Sequence, residues 1–151
     1  MPVLAGDRIV AALRGAFARD ASRAELLALV ADRMRAAGPP YTSVYLYMLQ
    51  DDLLVLQAYS GRETEHTRIP VGTGVCGTAV ATGEDQNVGD VRAIGNYLAC
   101  NLETRSELVV LVRRGPLILG QIDVDSDVPD PFSAAEQAEV KKVADALAVL
   151  L

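Results

Sequence analysis

The sequence predicts an α+β fold, in which terminal helices cover one face of a mainly antiparallel central sheet and pocket-forming loops cover the other. Three observations predict it. Apolar residues recur at helical spacing over about residues 7–37. Five or six short runs rich in β-branched, aromatic and aliphatic residues follow between about residues 41 and 126. Helical spacing returns over about residues 133–151. Because the helices and strands do not alternate, we expect separate layers within a single domain over residues 1–151.

The first section is predicted to form two helices separated by a break at residues 20–22. Ser22, with Glu25 three residues later, has the capping-box pattern of a helix start. The glycine and prolines of residues 38–40 then end the helical section.

The next section begins with a predicted hairpin, residues 43–49 and 53–59, joined by Gln50, Asp51 and Asp52. A third strand, about residues 65–69, is expected to stop at Pro70. Residues 70–83, PVGTGVCGTAVATG, predict a tight turn and a short helix whose first amides point outward. This segment lacks the P-loop Lys-Ser/Thr and the full dinucleotide fingerprint, so it supports nucleotide binding weakly. A carboxylate could rest on its amides.

The last section contains the strongest strand pattern, a predicted hairpin of residues 107–112 and 117–124. The preceding residues, 84–104, are expected to be mostly loop, and a loop of that length is more often functional than idle. Ser133 and Glu136 have the reciprocal capping pattern that begins the final helix.

The composition excludes several classes of protein. Among 151 residues there are 14 Lys+Arg and 20 Asp+Glu, a net charge of −6, and the scattered basic residues leave no footprint for nucleic acid. No apolar run approaches the roughly 20 residues of a membrane span, so we expect a cytoplasmic protein without a membrane partner. The two cysteines are too few for a disulfide scaffold. With one histidine they are also too few for a structural zinc site, which would need carboxylate ligands, and we predict no metal.

Three acidic residues are candidates for chemistry. In a strand, Asp123 and Asp125 lie on one face while Ile122 and Val124 lie on the other. Glu107 is expected near the level of Asp123, and a register slip of one residue would turn it away. Three carboxylates in one pocket raise at least one pKa, which keeps an acid available at neutral pH. The alternative is a solvated sheet face with ordinary acids.

The two cysteines are candidate nucleophiles. Cys100 lies in the long polar loop, and Cys76 lies near a helix start, where the helix dipole favours a thiolate. Cys76 could instead be a small buried residue that fills the core. His66, on the presumed third strand, is predicted to be exposed and without a catalytic role.

Taken together, four segments resemble the free methionine-R-sulfoxide reductases, which are GAF-domain proteins. They are RIPVGTGVCGTAVATG, VGDVRAIGNYLACN, SELVV and GQIDVDSD, and the similarity extends from about Tyr41 to the C-terminus. The resemblance implies a GAF-like fold and thiol-dependent reduction of free L-methionine-(R)-S-oxide to L-methionine through a cysteine sulfenic acid. The alternative is a non-catalytic GAF module that binds a small molecule or senses oxidants.

The resemblance also implies residue roles and partners. Cys100 matches the catalytic cysteine, and Cys76 matches the cysteine of the glycine-rich segment. The implied substrate site consists of Glu107, Asp123, Asp125, Tyr47, Gly74 and Val75. The family implies no bound cofactor, thioredoxin or another thiol as electron donor, and a homodimer.

This sequence departs from the family pattern at several positions. His66 stands where the family has its usual resolving cysteine. The thiol that condenses with the sulfenic acid must then be Cys76 or an external thiol. Ser43 stands near the position of the family's pocket tryptophan. Tyr97, Asn101 and Leu111 stand for a histidine, an aspartate and a proline.

Overall fold

The computed structural model describes residues 1–95, 97 and 102–151. Its helices are α1 (Gly6–Ala18), α2 (Arg23–Ala36), α3 (Gly74–Thr82) and α4 (Ala134–Leu150). Its strands are β1 (Ser43–Gln50), β2 (Leu53–Ser60), β3 (Arg68–Pro70), β4 (Gln86–Val88), β5 (Ser106–Arg114) and β6 (Leu117–Ser126). Within these residues the strands form a six-stranded sheet in the order β3-β2-β1-β6-β5-β4, with antiparallel neighbours. The predicted α+β fold with an antiparallel sheet is confirmed.

The central strands are covered on both faces, and their residues alternate between two cores. Leu46, Val110 and Ile122 pack in the larger core, which also contains the buried residues of α1, α2 and α4. Tyr47 and Val109 point to the opposite face and pack with residues of α3. Because both faces are buried, β1 and β5 are almost continuously apolar, and the alternation decides which residues reach the α3 side.

Both predicted helix caps are present, although one of them differs in detail. Ser22 and Glu25 form the full reciprocal capping box of α2. At α4 the Ser133 hydroxyl accepts from the Glu136 amide at 3.1 Å, but the Glu136 carboxylate does not return to Ser133. It accepts instead from the Val3 amide at 2.7 Å, the Leu4 amide at 2.9 Å and the Tyr41 hydroxyl at 2.6 Å. This buried carboxylate therefore fastens the N-terminal segment to α4.

One element prediction was wrong in its bounds, and another left out two short elements. The third strand is shorter than predicted and includes Pro70, which a sheet tolerates because β3 is an edge strand. Residues 84–104 are mostly loop among those that the structure describes, as predicted, and they also contain the edge strand β4 and a 3₁₀ turn at Val91–Ala93. Both strands are only three residues long, too short to show a period in the sequence. Among the described residues, no helix has the length and apolarity to cross a membrane.

Gly77 is expected to be a sensitive position for stability. A Cβ atom on Gly77 would lie 2.6 Å from the Pro70 carbonyl oxygen and 2.9 Å from the Gly72 nitrogen. These are backbone atoms of the turn that enters α3, and the Gly72 amide donates to the Gly77 carbonyl at 2.9 Å. Gly77→Ala should therefore lower the free energy of unfolding by about 1–3 kcal/mol in urea titrations, as overpacking does elsewhere.

The matched control is Gly15→Ala in α1. A Cβ there would meet only the flexible guanidinium of Arg19, at 3.4 Å. Helix propensity should then raise the free energy of unfolding by up to about 1 kcal/mol. Equal effects of the two substitutions would contradict this account of Gly77.

Candidate active site

Strands β5 and β6 bring three acids together on the α3 side of the sheet. Glu107, Asp123 and Asp125 are 5%, 2% and 4% exposed, so the alternative of a solvated face is wrong. Glu107 pairs with Asp125, while Asp123 pairs with Val109. The predicted level of Glu107 opposite Asp123 was therefore wrong by two residues, but a shift of two keeps Glu107 on the same face.

Cys76 lies directly over these acids, in the first turn of α3. Its thiol donates to Glu107 Oε2 at 3.6 Å, and it also hydrogen-bonds to Asp123. Burial raises the pKa of this thiol well above its ordinary value, and the charges of Asp123 and Glu107 raise it further. The expectation of a thiolate at this helix start was wrong, because the helix dipole is weaker than burial next to carboxylates.

The two aspartates have raised pKa values for related reasons. Burial raises the pKa of Asp123, and hydrogen bonds from Glu107 and Cys76 partly oppose this shift. Burial raises the pKa of Asp125 well above its ordinary value, and the Asp123 charge adds to the shift. Asp123 Oδ1 and Asp125 Oδ1 are buried and have no hydrogen-bond partner among the described residues. The cluster therefore combines groups that retain protons with open acceptor atoms.

A small cavity lies between α3 and the sheet. Its lining consists of Ile69, Thr73, Gly74, Val75, Cys76, Glu107 and Asp123. Gly74 enters α3 with a φ of +65°, a backbone conformation that favours glycine. The start of α3 therefore contributes Thr73, Gly74 and Val75 to the same cavity as the acids.

Tyr47 is not among the lining residues of this cavity. Its side chain is fully buried, and its hydroxyl donates to the His66 carbonyl at 2.7 Å. Tyr47 therefore holds the segment before β3. His66 itself is half-buried and precedes β3, so the prediction of an exposed strand residue was wrong. Ser43 is buried, and its hydroxyl accepts from the Arg62 amide at 2.9 Å.

Arg62 is a feature of the site that the sequence did not reveal. Its guanidinium donates to both carboxylate oxygens of Asp127, at 2.7 and 2.6 Å, and to Glu103 at 2.9 Å. Its positive charge also opposes the raised pKa of Asp125. Arg62 thus joins the β2–β3 segment to the end of β6 and to the residues before β5. Arg62, Glu103 and Asp127 are far apart in the sequence, and no local pattern predicts that they lie together.

Cys100, the predicted nucleophile, lies outside the described residues, as does Asn101. Tyr97 and Leu102 are the nearest described residues on either side of Cys100. The role of Cys100 stays a prediction from the sequence resemblance.

The fold and the pocket define a GAF domain. The GAF domain family matches residues 22–151, and the chain belongs to that family.

Within it, the chain is similar to proteins named free methionine-R-sulfoxide reductase, as the sequence motifs indicated. The one from Escherichia coli is 37% identical over 97 residues, which are 64% of this chain and 58% of that protein. The one from Saccharomyces cerevisiae is 34% identical over 96 residues, 63% of this chain and 53% of that protein. The chain thus spans little more than half the length of these two relatives.

Two solved structures extend the similarity to most of the chain. The type II free methionine-R-sulfoxide reductase from Thermoplasma acidophilum has 34% identity and a TM-score of 0.81, covering 85% of this chain and 91% of its own. The Neisseria meningitidis enzyme, solved in complex with its substrate, has 29% identity and a TM-score of 0.87, covering 96% of this chain and 87% of its own.

Proposed function

We propose that this protein reduces free L-methionine-(R)-S-oxide to L-methionine, with a thiol as reductant. The observation that carries the proposal is the cluster of three buried acids and a thiol beneath one small cavity. The names of the relatives at 34–37% identity point to the same reaction.

The chemistry of the free amino acid suits this cluster. Its ammonium group needs acceptors, which Asp123 Oδ1 and Asp125 Oδ1 provide. Its carboxylate suits the N-terminal end of α3 beside Val75, where the helix dipole is positive. A polypeptide has neither charge at an internal methionine. The site therefore favours free methionine sulfoxide over the protein-bound form.

The reaction needs a proton donor and a nucleophile. A carboxyl group that retains its proton, among Glu107, Asp123 and Asp125, donates to the sulfoxide oxygen and makes the sulfur electrophilic. The Cys100 thiolate attacks that sulfur. Overall, thiolate, sulfoxide and one proton give methionine and a sulfenic acid on Cys100, with two electrons passing from the cysteine sulfur to the substrate.

A second thiol completes the cycle. It condenses with the sulfenic acid to a disulfide and water, and an external dithiol such as thioredoxin reduces the disulfide. Cys76 is the candidate second thiol within the chain. The proposal includes no bound cofactor and a reducing compartment such as the cytoplasm. The family resemblance adds a homodimer.

The test is a thiol-coupled assay with the separate R and S isomers of free methionine sulfoxide. We expect the R isomer to be consumed and the S isomer to react at least about 10²-fold more slowly, a difference that fixed polar contacts can supply. An N-acetylated peptide carrying methionine sulfoxide should not react. Chiral chromatography of the methionine formed is the measurement.

Glu107→Gln and Glu84→Gln are a matched pair for this assay. Glu107 lines the cavity, whereas Glu84 is exposed beyond α3. We expect Glu107→Gln to lower kcat/KM by about 10²-fold and Glu84→Gln to leave it unchanged. If wild type consumes neither isomer with dithiothreitol or thioredoxin, the reductase proposal fails and the small-molecule-binding or redox-sensing alternative takes its place.

A further inference from the structure

Three side chains beneath the cavity each present one atom that can ligate a metal ion. The Cys76 sulfur and one carboxylate oxygen each from Glu107 and Asp123 all lie within 4.8 Å of one another, and all three residues are buried. They come from α3, β5 and β6, so the fold itself brings them together. The composition suggested that zinc would need carboxylate ligands, and this cluster provides two.

The spacing of two of these atoms fits tetrahedral zinc. Zinc binds sulfur at about 2.3 Å and carboxylate oxygen at about 2.0–2.2 Å. Two such ligands at the tetrahedral angle lie about 3.5–3.7 Å apart. The distance from Cys76 Sγ to Glu107 Oε2 is 3.6 Å. These two atoms therefore already lie at the separation that a zinc ion requires.

An unpartnered oxygen supplies an observation beyond the spacing. Asp123 is 2% exposed and lines the cavity, and its Oδ1 has no hydrogen-bond partner among the described residues. Buried oxygens of this kind are normally satisfied by a partner, and a cation next to Cys76 is such a partner.

We propose that Cys76, Glu107 and Asp123 form an inhibitory Zn²⁺ site. Sulfur ligation selects zinc over magnesium and calcium, which prefer oxygen alone. Three protein ligands leave a fourth position for water. The bound ion occupies Asp123, one of the two acids that hold the substrate ammonium, so zinc and free methionine sulfoxide compete. This last step rests on the proposed function, whereas metal binding does not.

Cobalt(II) titration of the reduced full-length chain under anaerobic conditions tests the binding step. We expect one ion per chain and a thiolate-to-cobalt charge-transfer band. Cys76→Ser should abolish the band and weaken zinc binding, measured by equilibrium dialysis, by at least about 10²-fold. Asp123→Asn, which keeps the thiol, should weaken zinc binding by about 10-fold or more. Circular dichroism checks that each variant is folded.

Cys100→Ser is the matched control for the choice of thiol. It should keep the cobalt band and the zinc affinity. Absence of the band in wild type, or its loss in Cys100→Ser with retention in Cys76→Ser, would overturn the site.

A steady-state assay tests the inhibition separately. Zinc should raise KM for the sulfoxide without changing kcat, and EDTA should reverse the effect. If the protein has no reductase activity, the cobalt and dialysis results still decide the metal site. If the reductase is active but wild type binds no zinc, only the metal inference fails.

Discussion

Asp125→Asn should stabilise the protein at pH 8 while lowering kcat/KM for free methionine-R-sulfoxide by about 10²-fold. The carboxyl is buried with Asp123 and Glu107, and its pKa is raised well above the ordinary value of 3.8. An asparagine has nearly the same shape and carries no charge to desolvate, and its amide can donate to Glu107. It cannot deliver a proton to the sulfoxide, which accounts for the loss of activity.

The stabilisation should depend on pH with a defined sign. Because its pKa is raised, folded Asp125 holds a proton that the unfolded chain releases near pH 3.8. The contribution of Asp125 to stability is therefore fully present below that pH and is lost as the pH rises through the raised pKa. Asparagine does not titrate, so the difference in unfolding free energy should be near zero at pH 3.5. It should grow to about 1–3 kcal/mol at pH 8.

Asp127→Asn, two residues further along the chain, is the matched control and should have the opposite sign. Hydrogen bonds from Arg62 lower the pKa of Asp127, so its carboxylate contributes stability above pH 3.8 that is lost as the pH falls. Its side chain is 36% exposed, and solvent limits the effect of the substitution to at most about 1 kcal/mol. Urea titrations at both pH values with EDTA present are the measurement. A destabilised Asp125→Asn protein at pH 8 would contradict the raised pKa.

The sequence predicts which residues share the acid face because strand alternation is local. Because side chains alternate along a strand, Asp123 and Asp125 lie on one face, while Ile122 and Val124 lie on the face covered by α1, α2 and α4. The same alternation places Glu107 relative to these residues only when the pairing register between β5 and β6 is known. That register depends on the hairpin between the strands, not on the residues around Glu107.

A bulge in the second hairpin decides the position of Glu107. Arg113 pairs with Ile118, but Val112 pairs with Gly120, so Leu119 is an extra residue in β6. Without it, Glu107 would lie opposite Val124 and face the helices. A Cβ on Gly120 would lie 2.2 Å from the Tyr47 carbonyl oxygen, so glycine permits the close approach of β1 beside the bulge. Gly120, an isolated glycine within a strand pattern, is the sequence signal that indicates a bulge here.

The properties of Cys76 could not be predicted for a related reason. The sequence correctly placed it at a helix start, where the dipole alone favours a thiolate. Its actual neighbours are Glu107 and Asp123 from β5 and β6, about 30 and 47 residues away in the chain. Long-range contacts therefore reverse a prediction that local structure supports.

Cys100→Ser should abolish reduction of free methionine-R-sulfoxide, with a loss of at least about 10³-fold in kcat. The chain has two cysteines, and the reaction requires a thiolate. Burial and neighbouring carboxylates raise the pKa of the Cys76 thiol, which makes it a poor nucleophile. We therefore expect the attack to come from Cys100, the residue to which the sequence resemblance assigns it. Single-turnover assays without reductant, in which wild type forms one methionine per active thiol, measure this step directly.

Cys76→Ser is the matched control, since it removes the other thiol of the chain. With dithiothreitol, which reduces a sulfenic acid directly, the turnover of this variant should fall by no more than about 10-fold, because serine can still donate to Glu107. With thioredoxin, which needs a disulfide, turnover should fall much further if Cys76 is the resolving thiol. A fully active Cys100→Ser protein paired with an inactive Cys76→Ser protein would reverse the assignment, because the buried thiol would then have to ionise during the reaction.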